Sequence, residues 1–337
     1  MSEPVHMLNK YEGPFLKSFI ALPAPELRDY IESFCGEEFY ATNYPGKYMP
    51  PVLVLPNGRV EMFIGYHDTS YVIRCKDKTL KFSTLIHGVR DIQNPLCLYE
   101  PKINKQIHVF FKPAGFHRFF GIRDAEMRNS CFTIDEVLYS QVKELEARMN
   151  DFLSVEDRVQ ILDRFFLKRL YANRGRMSND DVVNAVKLII AARGKKRIHE
   201  VSKELMISTR TLQRQFVNRI GLSPKEFSNV VRFRNALDKI ISANSIDWQD
   251  LVRSCGYYDQ SHLIDEFKAA TTFSPESFFS QKGRSVIPYR RAALILTGPL
   301  STQYDSSQRA MQESEESASQ NRTKKPRHGT AESHNEL

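Results

Sequence analysis

The sequence predicts an α+β multidomain chain, with an N-terminal β-rich barrel or sandwich and flanking helices, followed by a C-terminal all-α domain with two helix-turn-helix units. Three observations predict it. Short apolar runs separated by turn residues fill the chain up to about residue 115. The apolar spacing then changes to a helical one. Finally, one small helical unit is written twice between residues 196 and 282, at an offset of fifty-one.

In the N-terminal part, Val52–Leu55 and Val60–Ile64 read as two strands of a hairpin around Pro56-Asn57-Gly58, because Asn-Gly supplies the positive φ angles a tight turn requires. Ser70–Cys75, Leu80–Val89 and Ile107–Phe111 read as further strands, broken by Asp77-Lys78, Asn94-Pro95 and Pro101. His117–Ile122 is expected as a short helix. Two longer amphipathic helices follow at Asp135–Met149 and Val155–Leu170. Their apolar stripes are Val137, Leu138, Val142, Leu145 and Met149, and Val159, Leu162, Phe166 and Leu170. The stripes have two readings of equal weight, one covering the β-layer and the other joining two copies in a homodimer through residues 135–170.

Residues 172–177 read as a linker between a domain at 1–171 and one at 178–282. Ser178-Asn-Asp-Asp181 caps the opening helix, whose core side is Val182, Val183, Val186, Ile189 and Ile190. In the first repeat unit Ile198, Val201 and Leu205 form an apolar face, and Ser208 is placed to cap a second helix whose inward residues are Leu212, Phe216 and Ile220. Arg210, Gln213, Arg214 and Val217 fall on the opposite face. Gly221 ends that helix, and Ser223-Pro-Lys-Glu226 is a capping box with proline at the first helical position. The second unit starts at Asp247. Gly256-Tyr257 supplies its turn, Asp259 its cap and Leu263 and Phe267 its inward pair; Gln260, Ser261, Ile264, Asp265 and Lys268 point out.

Charge separates the two units. The chain carries a formal net charge of +8, yet residues 1–171 balance at 22 basic against 22 acidic side chains. Residues 193–239 hold 12 Lys or Arg against 4 Asp or Glu, and 240–282 hold 3 against 6. The first unit therefore has the electrostatic character of a polyanion binder and the second does not. The five cysteines show no metal-ligand spacing, and no stretch is apolar enough to span a bilayer, so a reducing, cytoplasmic setting with no membrane contact is expected. Residues 283–337 read as a mostly disordered tail, poor in large apolar residues from Ser301 onward.

Ser208–Phe216 with Gly221-Leu-Ser-Pro224, and Gly256-Tyr-Tyr-Asp-Gln-Ser-His-Leu263 with Phe267-Lys268 and Phe273-Ser-Pro275, resemble the AraC/XylS family of bacterial transcription regulators. The resemblance covers Ser178 to about Lys282. It implies a DNA-binding regulator in which Arg210, Gln213 and Arg214 of the first unit, and Gln260, Ser261 and Asp265 of the second, touch bases. An acid at 265 cannot meet a phosphate, although it can accept a hydrogen from a cytosine amine. The stretches Val54–Gly65 and His108–Phe120 resemble an N-terminal domain often found ahead of such DNA-binding regions, which implies a sensor or dimerisation role.

The partners expected are double-stranded DNA, an unidentified small-molecule effector, and RNA polymerase as a further candidate; no cofactor is expected and no enzymatic activity. The alternative is a cupin-like metal-dependent small-molecule enzyme or sensor using His67, His87, His108 and His117. No His-x-His pair followed by an acid favours it.

Overall fold

Alternation of buried and polar positions along the N-terminal strands produces a sheet with two unlike faces. In this computed structural model the described residues are 6–12, 16–40, 52–53, 55–67, 71–75, 78–82, 84–93, 98–101, 103–133, 139–150, 153–173 and 180–280. The expected linker residues 174–177, the cap at Ser178 and the tail from 283 lie outside them, as do Val137 and Leu138.

The strands are β1 (His6–Glu12), β2 (Leu16–Leu22), β3 (Ile31–Tyr40), β4 (Val52–Leu53), β5 (Glu61–Gly65), β6 (Tyr71–Cys75), β7 (Lys78–Phe82), β8 (Thr84–His87), β9 (Leu98–Pro101), β10 (Ile103–Phe111) and β11 (Cys131–Thr133). They form two antiparallel sheets, one of seven strands in the order β1-β2-β3-β10-β5-β8-β11 and one of four in the order β4-β9-β6-β7. Among the described residues neither sheet closes into a barrel.

The expected hairpin at Val52–Ile64 does not form. β4 pairs with β9 in the smaller sheet, whereas β5 pairs with β8 and β10 in the larger one. Gly58 does adopt a positive φ of 70°. The turn, however, serves a different purpose. Asn57 accepts from the Arg59 amide at 3.2 Å and its side chain also bonds Glu61, which redirects the chain from one sheet to the other. Leu80–Val89, expected as one strand, is likewise divided between β7 and β8 in different sheets.

One face of the larger sheet is apolar and is covered by helices. α1 (Gly115–Phe120), α2 (Tyr139–Met149) and α3 (Val155–Ala172) follow the strands. Phe166 of α3 packs against Phe34, Phe111 and Phe119, with ring centroids 6.4, 5.7 and 5.0 Å away. Val142, Leu145 and Met149, together with Val159, Leu162, Phe166 and Leu170, are buried. The described stripe residues therefore cover the chain's own core. The other face carries a buried polar row, in which Gln106 donates to Glu37 at 3.0 Å and the His108 ring lies 3.4 Å from the same carboxylate.

The C-terminal helices are α4 (Asp180–Ala191), α5 (Ile198–Glu204), α6 (Thr209–Ile220), α7 (Pro224–Ser242), α8 (Trp248–Cys255), α9 (Gln260–Thr271) and α10 (Pro275–Ser280). Val182, Val186, Ile189 and Ile190 of α4 are buried as its pattern predicts. The long α7 forms the spine between the two units and buries Phe227, Val230, Val231, Phe233, Leu237 and Ile240. The described residues fall within one compact unit.

Candidate nucleic-acid interface

α6 and α9 are positioned by local signals. Ser208 accepts from the Thr211 amide at 3.0 Å, satisfying one of the free donors at the start of α6. A Ser202–Thr209 hydroxyl contact of 2.9 Å ties α5 to α6. Gly221 closes the helix at φ 82°, a left-handed geometry that a side chain would resist. Leu212, Phe216 and Ile220 are fully buried, with the Phe216 ring 5.6 Å from that of Phe227. The register leaves Arg210, Gln213 and Arg214 exposed together. With Gln215, Val217 and Asn218 they line one surface depression. Among the described residues neither arginine forms an ion pair.

In the second unit, Asp247 accepts from the amides of Gln249 and Asp250 at 2.9 and 3.0 Å, and Asp259 accepts from His262 at 2.8 Å. Leu263 and Phe267 are fully buried. Gln260, Ser261, Asp265 and Lys268 are exposed and Ile264 is half-buried. A buried polar node fixes α9 to the spine: Arg232 donates to Glu266 at 2.7 Å, and Tyr257 donates its hydroxyl to the other oxygen at 2.9 Å. Burial and the adjacent Glu266 push the Tyr257 hydroxyl well above its usual range, so it remains a donor.

Two of the twelve basic residues in 193–239 prove to be interior. Arg232 is neutralised by Glu266, and Arg234 is 2% exposed. Burial, followed by repulsion from Arg59, lowers Arg234 to about 9, still high enough to keep it charged. The charge visible to a partner on the first unit is thus smaller than the residue count suggests. Arg193, Lys195, Arg197, Lys203, Arg210, Arg214 and Lys225 remain exposed.

The sequence reading did not find the contacts between the N-terminal part and the α6–α7 corner. Arg123 donates to Asn218 at 2.7 Å. Arg128 donates to the Gly221 carbonyl at 3.0 Å, to Glu226 at 2.6 Å and to Asp91 at 2.8 Å. On the same corner, a Cβ added to Gly58 would lie 2.8 Å from Phe227. Isolated arginines carry no periodic signal, so only the fold reveals these pairs.

The histidines do not converge. His87 and His108 flank the Phe63 ring at 4.7 and 4.1 Å, and His67 meets Arg158 at 3.0 Å. Among the described residues no three His, Cys, Asp or Glu side chains are placed to hold a metal. Cys255 is buried in the second unit, and no described helix is long and apolar enough to cross a membrane.

Residues 201–281 match the family described as a helix-turn-helix domain. No curated protein matches the chain. Among solved structures, ToxT from Vibrio cholerae is similar at 12% identity over 70% of this chain and 95% of its own, with a TM-score of 0.40. A regulator with an AraC-type DNA-binding domain from Chromobacterium violaceum is 18% identical over 31% of this chain and 94% of its own, TM-score 0.29. A DNA-binding transcriptional dual regulator from Escherichia coli K-12 is 16% identical over 32% and 96%, TM-score 0.29. The family match falls on the two capped helix-turn-helix units, and residues 201–281 form a helix-turn-helix domain.

Proposed function

We propose that the chain is a DNA-binding transcription regulator of the AraC type that reads two successive major-groove segments, with α6 in the first and α9 in the second. The observation that carries the proposal is the joint exposure of Arg210, Gln213 and Arg214 on the outward face of a capped, well-packed helix. Each arginine has the fork geometry to donate two hydrogen bonds to guanine, and Gln213 can pair with adenine; a good contact contributes about 1–3 kcal/mol of discrimination. Gln260, Ser261 and Asp265 occupy the corresponding exposed face of α9. Two units on one spine suit segments about 34 Å apart, one turn of the duplex.

The decisive experiment is selection from a random DNA library with the purified chain at two salt concentrations, repeated with Arg210→Ala and Arg214→Ala. A two-part motif whose first half is lost in the variants is expected. A motif retained unchanged in both variants would refute the assignment of bases to α6.

The N-terminal part is the proposed control region, with domain limits of 1–171 and 178–282. The buried row of Glu37, Gln106 and His108 supports a polar small-molecule effector there, since Glu37 Oε1 and His108 Nδ1 are buried without a hydrogen-bond partner, which costs stability unless they are put to use. Homodimerisation through residues 135–170 would have to use the outer faces of α2 and α3, because the described stripe residues are buried within the chain. Sedimentation at micromolar concentration decides it: a monomer refutes the dimer.

A further inference from the structure

We propose that the polar face of the larger sheet binds a small organic cation, an alkylammonium or alkylguanidinium group, between Glu37, Ser18 and His108. The strand register sets these residues side by side. Ser18 of β2 lies opposite Glu37 of β3, Glu37 lies opposite Gln106 of β10, and His108 follows two positions along β10, between Cys35 and Phe63. Side chains two apart on a strand share a face. The set lies on the side away from the helices, since Phe34, on the alternate face of β3, packs against Phe166.

Three polar groups of this set are buried with no hydrogen-bond partner: the Ser18 hydroxyl, Glu37 Oε1 and the His108 ring. The residues are 4%, 6% and 1% exposed, so bulk water does not serve them. Gln106 satisfies the other oxygen of Glu37 at 3.0 Å, and the His108 ring stands 3.4 Å from that same oxygen without bonding it. Oε1 is therefore an acceptor in want of a donor. Groups left in this way cost stability unless a partner meets them.

Charge selects the class of ligand. Arg59 is engaged elsewhere, with its Nε 3.5 Å from Glu61 and its guanidinium 4.3 Å from the centre of the Phe110 ring. Among the described residues no arginine or lysine pairs with Glu37. The field here has the same sign: burial raises the Cys35 thiol well above its usual range, and Glu37 and Glu61 raise it further against a smaller opposing pull from Arg59. A carboxylate ligand would meet Glu37 as a like charge. An ammonium or guanidinium would instead donate to Oε1 and to the Ser18 hydroxyl. Phe63 and Phe110, with ring centres 4.1 and 5.7 Å from that of His108, supply aromatic surface for the cation and its carbon chain. Among the described residues no third ligand joins Glu37 and His108, so the cation is organic and not a metal ion.

The inference rests on the reading of the N-terminal part as a control region, and the test separates the two claims. Butylammonium, butylguanidinium, butyrate and butanol would be titrated calorimetrically into the full-length chain and into Glu37→Gln and Ser18→Ala, and DNA affinity would be measured with and without each probe. The two cations should bind the unaltered chain at least about ten-fold more tightly than butyrate or butanol, the scale of one hydrogen bond to a charged group. Glu37→Gln keeps the shape of the side chain and removes its charge, and should lose about ten-fold in affinity for the cations. Ser18→Ala should lose a few-fold, and it keeps the test open if the Glu37 variant does not fold.

Butyrate or butanol binding as tightly as the cations would overturn the cationic class. Binding of none of the four probes would mean that water alone serves the row, and cation binding retained in both variants would place it elsewhere; either result overturns the site. Cation binding that leaves DNA affinity unchanged would uphold the site and sink the control reading.

Discussion

The two helix-turn-helix units are copies in topology and opposites in how they are held. The first has an open, basic outward face, hydroxyl caps, and an outer end gripped by Arg123 and Arg128. The second has acidic caps and an exposed acid on its outward face, and is fixed from within by Arg232, Glu266 and Tyr257. A duplicated unit has thus kept its packing rules while its polar chemistry diverged. The difference separates two kinds of support: the first unit is held at its outer end by the N-terminal part, the second from within by the spine.

The largest effect should come from breaking the internal clamp. Arg232→Ala leaves Glu266 buried without its arginine, with only the Tyr257 hydroxyl and the His262 ring beside it, which should cost about 3–5 kcal/mol. Exchange should rise across 248–271 and much less across 198–220. Equal loss in both units would mean that they are not independently held.

A pH effect of comparable size is confined to the first unit's neighbour. Asp124 starts the turn that abuts Gly221; its carboxylate accepts from the Ala114 amide at 3.0 Å, at the start of α1. Burial pushes its carboxyl up to about 8, against the lowering pull of backbone donors. The folded chain therefore holds a proton that the unfolded chain releases above about pH 4. Stability should fall as pH rises from about 4 to 8, by at most about 1.4 kcal/mol per unit, and level off above that range. Asp124→Asn should flatten the slope in denaturant titrations at several pH values. A slope that persists would assign it to another group.

At the reading faces, Arg214→Ala should cost about 1–3 kcal/mol at one base position, measured against single-base variants of the selected site. Gln260→Ala should cost less than Arg214→Ala. The reverse order would make the second unit the main reader. The smallest effect expected is from Asp265→Asn. Removing one acid should raise affinity a few-fold at low salt and leave sequence preference at the first segment untouched, measured by titration at two salt concentrations.

Nearly all of the C-terminal half was legible because its signals are local. Ser208, Ser223, Asp247 and Asp259 cap the helices where their sequence neighbours suggest, and Gly221 and Gly256 end them. The sheets were less legible because strand partners lie far apart in sequence. Asn57-Gly58 makes a turn, as expected, but the two strands beside it find partners in different sheets. Charge misled in a related way. Arg232 and Arg234 count toward a basic segment and are buried, because a helix packed on all sides must also bury some of its polar positions. Arg128 was invisible for the same reason: its three acceptors come from positions 91, 221 and 226.

Gly221 bears on whether the DNA-binding half is a portable module. Its left-handed backbone already favours glycine, and the space where a side chain would grow is occupied by Ala125. A replacement for the helices at 180–280 would need a bare backbone at this corner and an acceptor at 226, even if its own fold were sound. Interchange of such heads between chains is therefore limited by one corner of the scaffold.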